Sequence, residues 1–296
     1  MSILQIDNLS KNYGSIRAVD QLSLTVEHGN IYGILGPNGS GKTTTLGMIL
    51  GITSPQSGHF SWFGGENPDR ARRRIGALLE TPNFYPYLNA VDNLKIVASI
   101  KGHGAESIDE HLRLVQLYER RYSKFNTYSL GMKQRLAIAG ALVGDPDVLI
   151  FDEPTNGLDP EGIADVRETL LKIANRGKTV IMASHILDEV EKICTHVAII
   201  KRGKLLATGT VGAILSSNVS VEIGAAETDK LKELVQAESE LHLLSESNGR
   251  LMLEAEAGFS AARINQAAFD RGIVLDHLVV KQRSLESEFL EITKDN

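Results

Sequence analysis

One cysteine (Cys194), one tryptophan and 5% aromatic residues are what this 296-residue chain has least of. A lone cysteine cannot close an intramolecular disulfide. The start, "MSILQIDNLSKNYG", lacks the basic segment and apolar core of a secretory signal. Together these point to a reducing, cytoplasmic setting. Long apolar runs are missing too: "RLAIAGALVGD" and "TVIMASHIL" are short and bounded by charge, whereas a spanning helix needs about 18 to 20 apolar residues. The chain itself is therefore not expected to cross a bilayer. Net positive charge is also absent, the formal charge being -6. The cluster Arg70, Arg72, Arg73 and Arg74 has no interleaved aromatics and reads as a solvated helix face, so no nucleic-acid partner is expected.

What is present is an ordinary globular composition, 42% hydrophobic. Length favours a large domain plus a smaller one, with a division expected after residue 217. Up to Leu35 the pattern alternates in short strands, "ILQI", "LSLTVE" and "IYGIL", broken at Gly14. "GPNGSGKTTTLGMILG" reads as a glycine-rich turn entering a helix, and "GHFSW" as a further strand. Residues 89 to 142 turn helical, with Ser129 as an N-cap. Then follow a strand "VLIF", a helix from Pro160 to Arg176 capped by Asp159 and closed by Gly177, a strand "TVIMAS", a helix "ILDEVEKIC" and a hairpin turning at Arg202-Gly203. This alternation predicts an α/β fold with a mainly parallel sheet covered on both faces. Residues 218 to 296 read as a small α+β unit: strand "VSVEI", helix "TDKLKELVQAE", strand "RLMLEAE", helix "FSAARINQAAFDRG", strand "VLDHLVVK" and helix "SLESEFLEIT". It shows no catalytic constellation.

The stretch Gly36-Pro37-Asn38-Gly39-Ser40-Gly41-Lys42-Thr43 fits GxxxxGK[ST] in its required context of strand, turn and helix. Glycines let successive N–H groups face a phosphate chain, and the helix N-terminus adds positive potential at the same place. Lys42 suits the β and γ phosphates of ATP, and the Thr43 hydroxyl suits Mg2+. A P-loop needs a carboxylate for its metal, and "VLIFDEP" delivers Asp152 and Glu153 at a strand end. Asp152 is the expected metal-side carboxylate and Glu153 the group that polarises the attacking water.

Three further segments narrow the reading. "YSLGMKQR" (128 to 135) resembles the signature motif of ATP-binding cassette (ABC) ATPases, "NGLDP" (156 to 160) resembles their D-loop, and "MASHIL" places His185 like their switch histidine. The resemblance covers residues 1 to about 215. It implies a P-loop NTPase fold of the ABC type with an antiparallel β subdomain and the helical insert. It also implies hydrolysis through Glu153 and His185, adenine stacking on Tyr13 with Val19 behind it, and further nucleotide contacts from Thr44, Gln134 and Asp159. In that family two cassettes pack head to tail, so Ser129 and Gly131 would grip a phosphate bound to a second copy. A homodimer is the simplest assembly, and a heterodimer stays open. Two signature positions depart from the pattern, Leu130 standing where glycine is usual and Met132 where glutamine is usual.

In the stretch "IGALLETPNFYPYL" (75 to 88) an apolar run stops at Glu80, where the family carries a glutamine that reaches the magnesium shell. A carboxylate there binds metal more strongly than an amide and cannot donate a hydrogen bond. This glutamate, followed by "TPNFYPYLNAVDNL", is similar to the ATP-binding subunits of bacitracin-resistance and lantibiotic-immunity exporters, and the C-terminal domain with its ending "SLESEFLEIT" resembles the broader drug-exporter group. The implied partner is a separate transmembrane permease, met by Pro82, Phe84, Tyr85, Pro86 and Tyr87. Two alternatives remain at this level: a regulatory cassette with little transport, and a nucleic-acid-associated ABC ATPase.

Overall fold

Two strands of twelve residues, β1 (Ser2–Tyr13) and β2 (Ile16–Glu27), form where the sequence pattern suggests shorter pieces. Irregularities in their pairing hide the alternation; Asn8 and Gln21 adopt positive φ there. The computed structural model describes residues 2–215, 219–238, 240–247, 249–255, 259–282 and 284–294. After β2 come β3 (Ile31–Leu35), α1 (Lys42–Ile49), β4 (Ser57–Trp62), α2 (Pro68–Arg73), β5 (Ile75–Leu78) and α3 (Ala90–Lys101). The chain continues through α4 (Ile108–Leu114), α5 (Leu130–Leu142), β6 (Val148–Asp152), α6 (Pro160–Ala174) and β7 (Thr179–Ser184). Next are α7 (Leu187–Ile193), β8 (His196–Lys201), β9 (Lys204–Thr210) and α8 (Val211–Ile214).

The chain separates into two compact units, Met1–Val211 and Gly212–Asn296. The division expected after residue 217 falls on residues outside the described set. Val211 is still bonded into the first unit, its N–H donating to the Thr195 carbonyl at 3.0 Å.

In the first unit a six-stranded sheet runs β5-β6-β7-β3-β8-β9, parallel except for the β8–β9 hairpin, while β2-β1-β4 form a separate antiparallel sheet. The hairpin turns at Arg202 and Gly203, both at positive φ as a tight right-twisted turn requires. The antiparallel sheet covers one face of the parallel sheet: Leu4, Leu9 and Leu22 share a core with Ile34, Ile150 and Ile181, and α1 supplies Leu46 and Met48 to it. The parallel strands are thus buried on both sides, which is why β3 and β6 read as unbroken apolar runs.

The second unit contains β10 (Val219–Ala225), α9 (Thr228–Ala237), β11 (Leu241–Ser247), β12 (Arg250–Ala255), α10 (Ala261–Asp270), β13 (Leu275–Gln282) and α11 (Leu285–Lys294). Its sheet order, β11-β12-β10-β13, is antiparallel throughout. With α9 and α10 both contributing to one core against this sheet, the topology is the ferredoxin-like split βαβ. Strand β11 is absent from the sequence reading. It is an edge strand in which every residue but Leu241 is exposed, so no burial period marks it.

Candidate functional site

The geometry of the site follows from strand order. Strands β6, β7 and β3 are parallel neighbours, with Asp152 level with Ala183 and Leu35 level with Ser184. Their C-terminal ends therefore bring together Asp152 and Glu153, His185, and the P-loop that follows Leu35. That is the edge at which open α/β sheets bind ligands.

The loop from Gly36 to Gly41 turns into α1 through Gly41, whose φ of 107° lies in the region that glycine tolerates best. A side chain there would also strike the Ala18 carbonyl of β2. The tip of the β8–β9 hairpin supports the loop, the Gly203 N–H donating to the Ser40 carbonyl at 2.9 Å. Lys42 is buried at 5% exposure, and its ammonium donates to the carbonyls of Gly36 (2.8 Å) and Pro37 (3.3 Å). It also pairs with Glu153 Oε1 at 3.3 Å. The other oxygen of Glu153 faces His185 Nδ1 at 2.8 Å and the His185 N–H at 3.3 Å. An ionised carboxylate only accepts hydrogen bonds, so this contact places a proton on Nδ1.

Asp152 is 2% exposed, and its Oδ1 has no hydrogen-bond partner. Burial pushes its carboxyl above the usual range, a hydrogen bond with Thr43 pulls the other way, and the charges of Glu153 and Glu80 add to the rise. An orphaned carboxylate oxygen beside a threonine hydroxyl is the hard-oxygen donor set a divalent cation takes, so these residues fit Mg2+. Glu80 lies two residues beyond the end of β5, exposed, at a φ of 56°.

A cleft of about 310 Å³ over the P-loop is lined by Ile16, Ala18, Asn38, Gly39, Gly41, Lys42, Thr43, Thr44 and Glu153. Ile16 and Ala18 are missing from the sequence reading. β2 opens with Ile16 and Arg17 both exposed and Ala18 half-buried, so no local pattern marks them; the approach of β2 to Gly41 of the P-loop does. Tyr13 is half exposed, with the Lys11 ammonium 5.5 Å from its ring centre. Val19 is 1% exposed in the core and does not line the cleft.

Ser129, Leu130, Gly131 and Met132 line a different cleft, of about 480 Å³, together with Gly157, Leu158, Asp159 and the first turns of α6. Ser129 caps α5, accepting from the Met132 N–H at 3.3 Å, and Asp159 caps α6, accepting from the Gly162 N–H at 3.1 Å. Gln134 is buried on α5 at 5% exposure. Leu130 folds back toward Gly157, its Cδ2 3.4 Å from where a β-carbon on that glycine would lie. The P-loop residues and the signature residues of one chain therefore line separate clefts.

A family model for the ABC transporter matches residues 19–156. Over nearly the whole chain the sequence is 38% identical to the bacitracin transport ATP-binding protein BcrA of Bacillus licheniformis, across 98% of this chain and 97% of that one. The chain belongs to the ABC transporter ATPases. As an ATP-binding subunit of an ABC transporter, this ABC ATPase binds and hydrolyses ATP. It is also 37% identical to the Nod factor export ATP-binding protein I of Cupriavidus metallidurans, over 79% of each chain. Among solved structures, CbiO1 of Clostridium perfringens, part of an ABC transporter complex, superposes with a TM-score of 0.65. It is 27% identical, covering 72% of this chain and 90% of its own. An ATP-binding cassette solved as a dimer in a post-hydrolysis state with ADP and phosphate gives 0.64 at 26% identity, over 71% of this chain and 99% of its own. Among the described residues of this ABC ATPase, no helix is long and apolar enough to cross a membrane.

Proposed function

We propose that this chain is the cytoplasmic ATPase subunit of a membrane exporter for antimicrobial peptides or drugs, acting as a pair of identical copies on a separate permease. The observation that carries the assembly is the separation of the two clefts. A phosphate held over Lys42 is out of the company of the same chain's Ser129 and Gly131, so a second copy must bring them. The export reading is supported by the full-length likeness to a bacitracin transport subunit and by the likeness to a Nod factor export subunit.

In this reading the P-loop amides and Lys42 receive the β and γ phosphates, which replace Glu153 beside the ammonium. Tyr13, Ile16 and Ala18 lie along the adenine side. Thr43, Asp152 and Glu80 hold Mg2+, which supplies charge neutralisation to the phosphates. Glu153 polarises the attacking water as a general base, and His185 keeps the carboxylate aimed by donating from Nδ1. Residues 82 to 87, with Tyr85 and Tyr87 exposed, offer the permease a surface.

The test is Mg-ATP turnover by the purified chain and two variants, with size-exclusion chromatography in ATP. Glu153→Gln is expected to lose activity by about 100-fold or more and to elute as a dimer in ATP. Glu80→Gln is expected to change the rate without abolishing it. A Glu153→Gln protein that stays monomeric in ATP sinks the homodimer and points to a different partner cassette. The cargo is checked separately in cells: loss of the gene should sensitise them to peptide antibiotics, and unchanged susceptibility rejects that class.

A further inference from the structure

Most arginines and lysines of this chain are ion-paired, including Arg72 with Asp69 and Arg74 with both Glu66 and Asp147. The cluster of residues 70 to 74 is thus neutralised at Arg72 and Arg74, while Arg70 and Arg73 form no ion pair among the described residues and have no tyrosine stacked on them. A second basic segment, residues 113 to 124, is different. It holds Arg113, Arg120, Arg121 and Lys124 against the single carboxylate Glu119, in a chain of net charge -6. None of these four cations forms an ion pair among the described residues, and Asp109 acts on Arg121 only through its field.

Two of these cations, Arg113 and Arg121, stack on tyrosines. The guanidinium carbons of Arg113 and Arg121 lie 3.9 and 3.7 Å from the centre of the Tyr118 ring, and Arg121 lies 4.7 Å from that of Tyr122. Two guanidiniums that close cannot share one face, so they cover both faces of Tyr118. Tyr122 is 70% exposed. The segment is fastened to the aromatic loop that precedes α3. Phe125 N–H donates to the Leu88 carbonyl at 2.8 Å, and Ala90 N–H to the Arg121 carbonyl at 3.0 Å. Tyr85 and Tyr87, both exposed, therefore sit on the same region of surface as Tyr122, Arg120 and Lys124.

We infer that this ladder is a docking surface for anionic lipid headgroups of the membrane that holds the permease. The inference rests on the transporter reading above, because it adjoins the loop assigned there to the permease. Unpaired cations with exposed tyrosines match a headgroup region, where amphipathic rings settle and lipid phosphates accept from guanidinium and ammonium donors. A single-stranded nucleic acid fits less well. Tyr118 has no free face for a base, and the acidic chain repels a long polyanion.

The test is flotation of the full chain with vesicles of phosphatidylcholine alone or with one third phosphatidylglycerol, without permease. The wild type is expected to float with the anionic vesicles only, and less at high salt. Each basic side chain near such a surface contributes about fivefold, so Arg120→Gln with Lys124→Gln should weaken partitioning about 25-fold. Arg70→Gln with Arg73→Gln on α2 should change it less than twofold. Both pairs are exposed, and solution ATPase activity should be unchanged. A Tyr122→Trp reporter should shift its emission to the blue on anionic vesicles, against a constant signal from buried Trp62. Three outcomes overturn the inference: equal flotation with both vesicle types, equal loss from the α2 pair, or binding of a single-stranded oligonucleotide in place of vesicles. None of these depends on Glu153, so the ATPase reading stands or falls independently.

Discussion

Asp152 shows how a single residue carries the conflict between stability and function in this site. Burial raises its carboxyl above the usual range, so the folded state binds a proton that the unfolded state has already released. Stability then falls as pH rises from the ordinary carboxylate range through the raised value, and the penalty persists at neutral pH. Asp152→Asn should remove that penalty and stabilise the nucleotide-free protein by roughly 1 kcal/mol while losing Mg-dependent turnover. Thermal melts at pH 7 and pH 4 check the sign, because the gain should shrink toward the ordinary carboxylate range, where the unfolded state also takes up the proton. A gain that persists undiminished at pH 4 rejects the assignment. Residue types and spacing alone single out Asp152, Glu153 and Lys42, and the resemblance to the ABC family adds His185. Ile16 and Ala18 escape such reading because nothing local to them marks a ligand cleft; the fold of β2 against the P-loop does.

Secondary-structure elements explain what the helical insert contributes. On α4, His111 is 6% exposed and its Nδ1 has no partner. Burial lowers its pKa, Glu110 and Asp145 act to raise it, and Arg176 and Lys101 act to lower it further. The folded state thus resists protonation. The stability this neutral ring allows is complete above about pH 6.5 and is lost as pH falls through the lowered value. His111→Phe should flatten the acid side of the stability profile by about 1 kcal/mol per pH unit, measured by urea unfolding between pH 7 and pH 5. An unchanged slope shows that another group controls it. The helices of this region are legible in sequence because their apolar periodicity and caps agree: α3 begins at Asn89, α5 at Ser129 and α6 at Asp159, each cap accepting from an N–H of the first turn. Strand β11 is not legible, since an exposed edge strand owes its conformation to the backbone of β12 and not to its own pattern.

At the scale of the whole molecule, the described residues include one core between the two sheets of the first unit and a separate one in the ferredoxin-like unit. Separate cores predict separate melting. Leu253 is fully buried in the second, and Leu253→Ala should destabilise that unit by about 2 to 4 kcal/mol, lowering one calorimetric transition and leaving the other in place. A single transition that moves as a whole would show one cooperative block instead. ATP should raise only the transition of the first unit, because a ligand stabilises the state that binds it.

The P-loop, the two acids at the end of β6, the capped helices and the kinship to ABC ATPases are local in origin. Each depends on side-chain type at fixed spacing, which survives in a one-dimensional string. The order β5-β6-β7-β3-β8-β9, the antiparallel sheet over one face, the hold of Lys42 and His185 on Glu153, and the unpaired cations of residues 113 to 124 arise only in three dimensions. They depend on which strands lie side by side and which charges find partners, and contacts between residues far apart in the chain leave no period in the sequence between them.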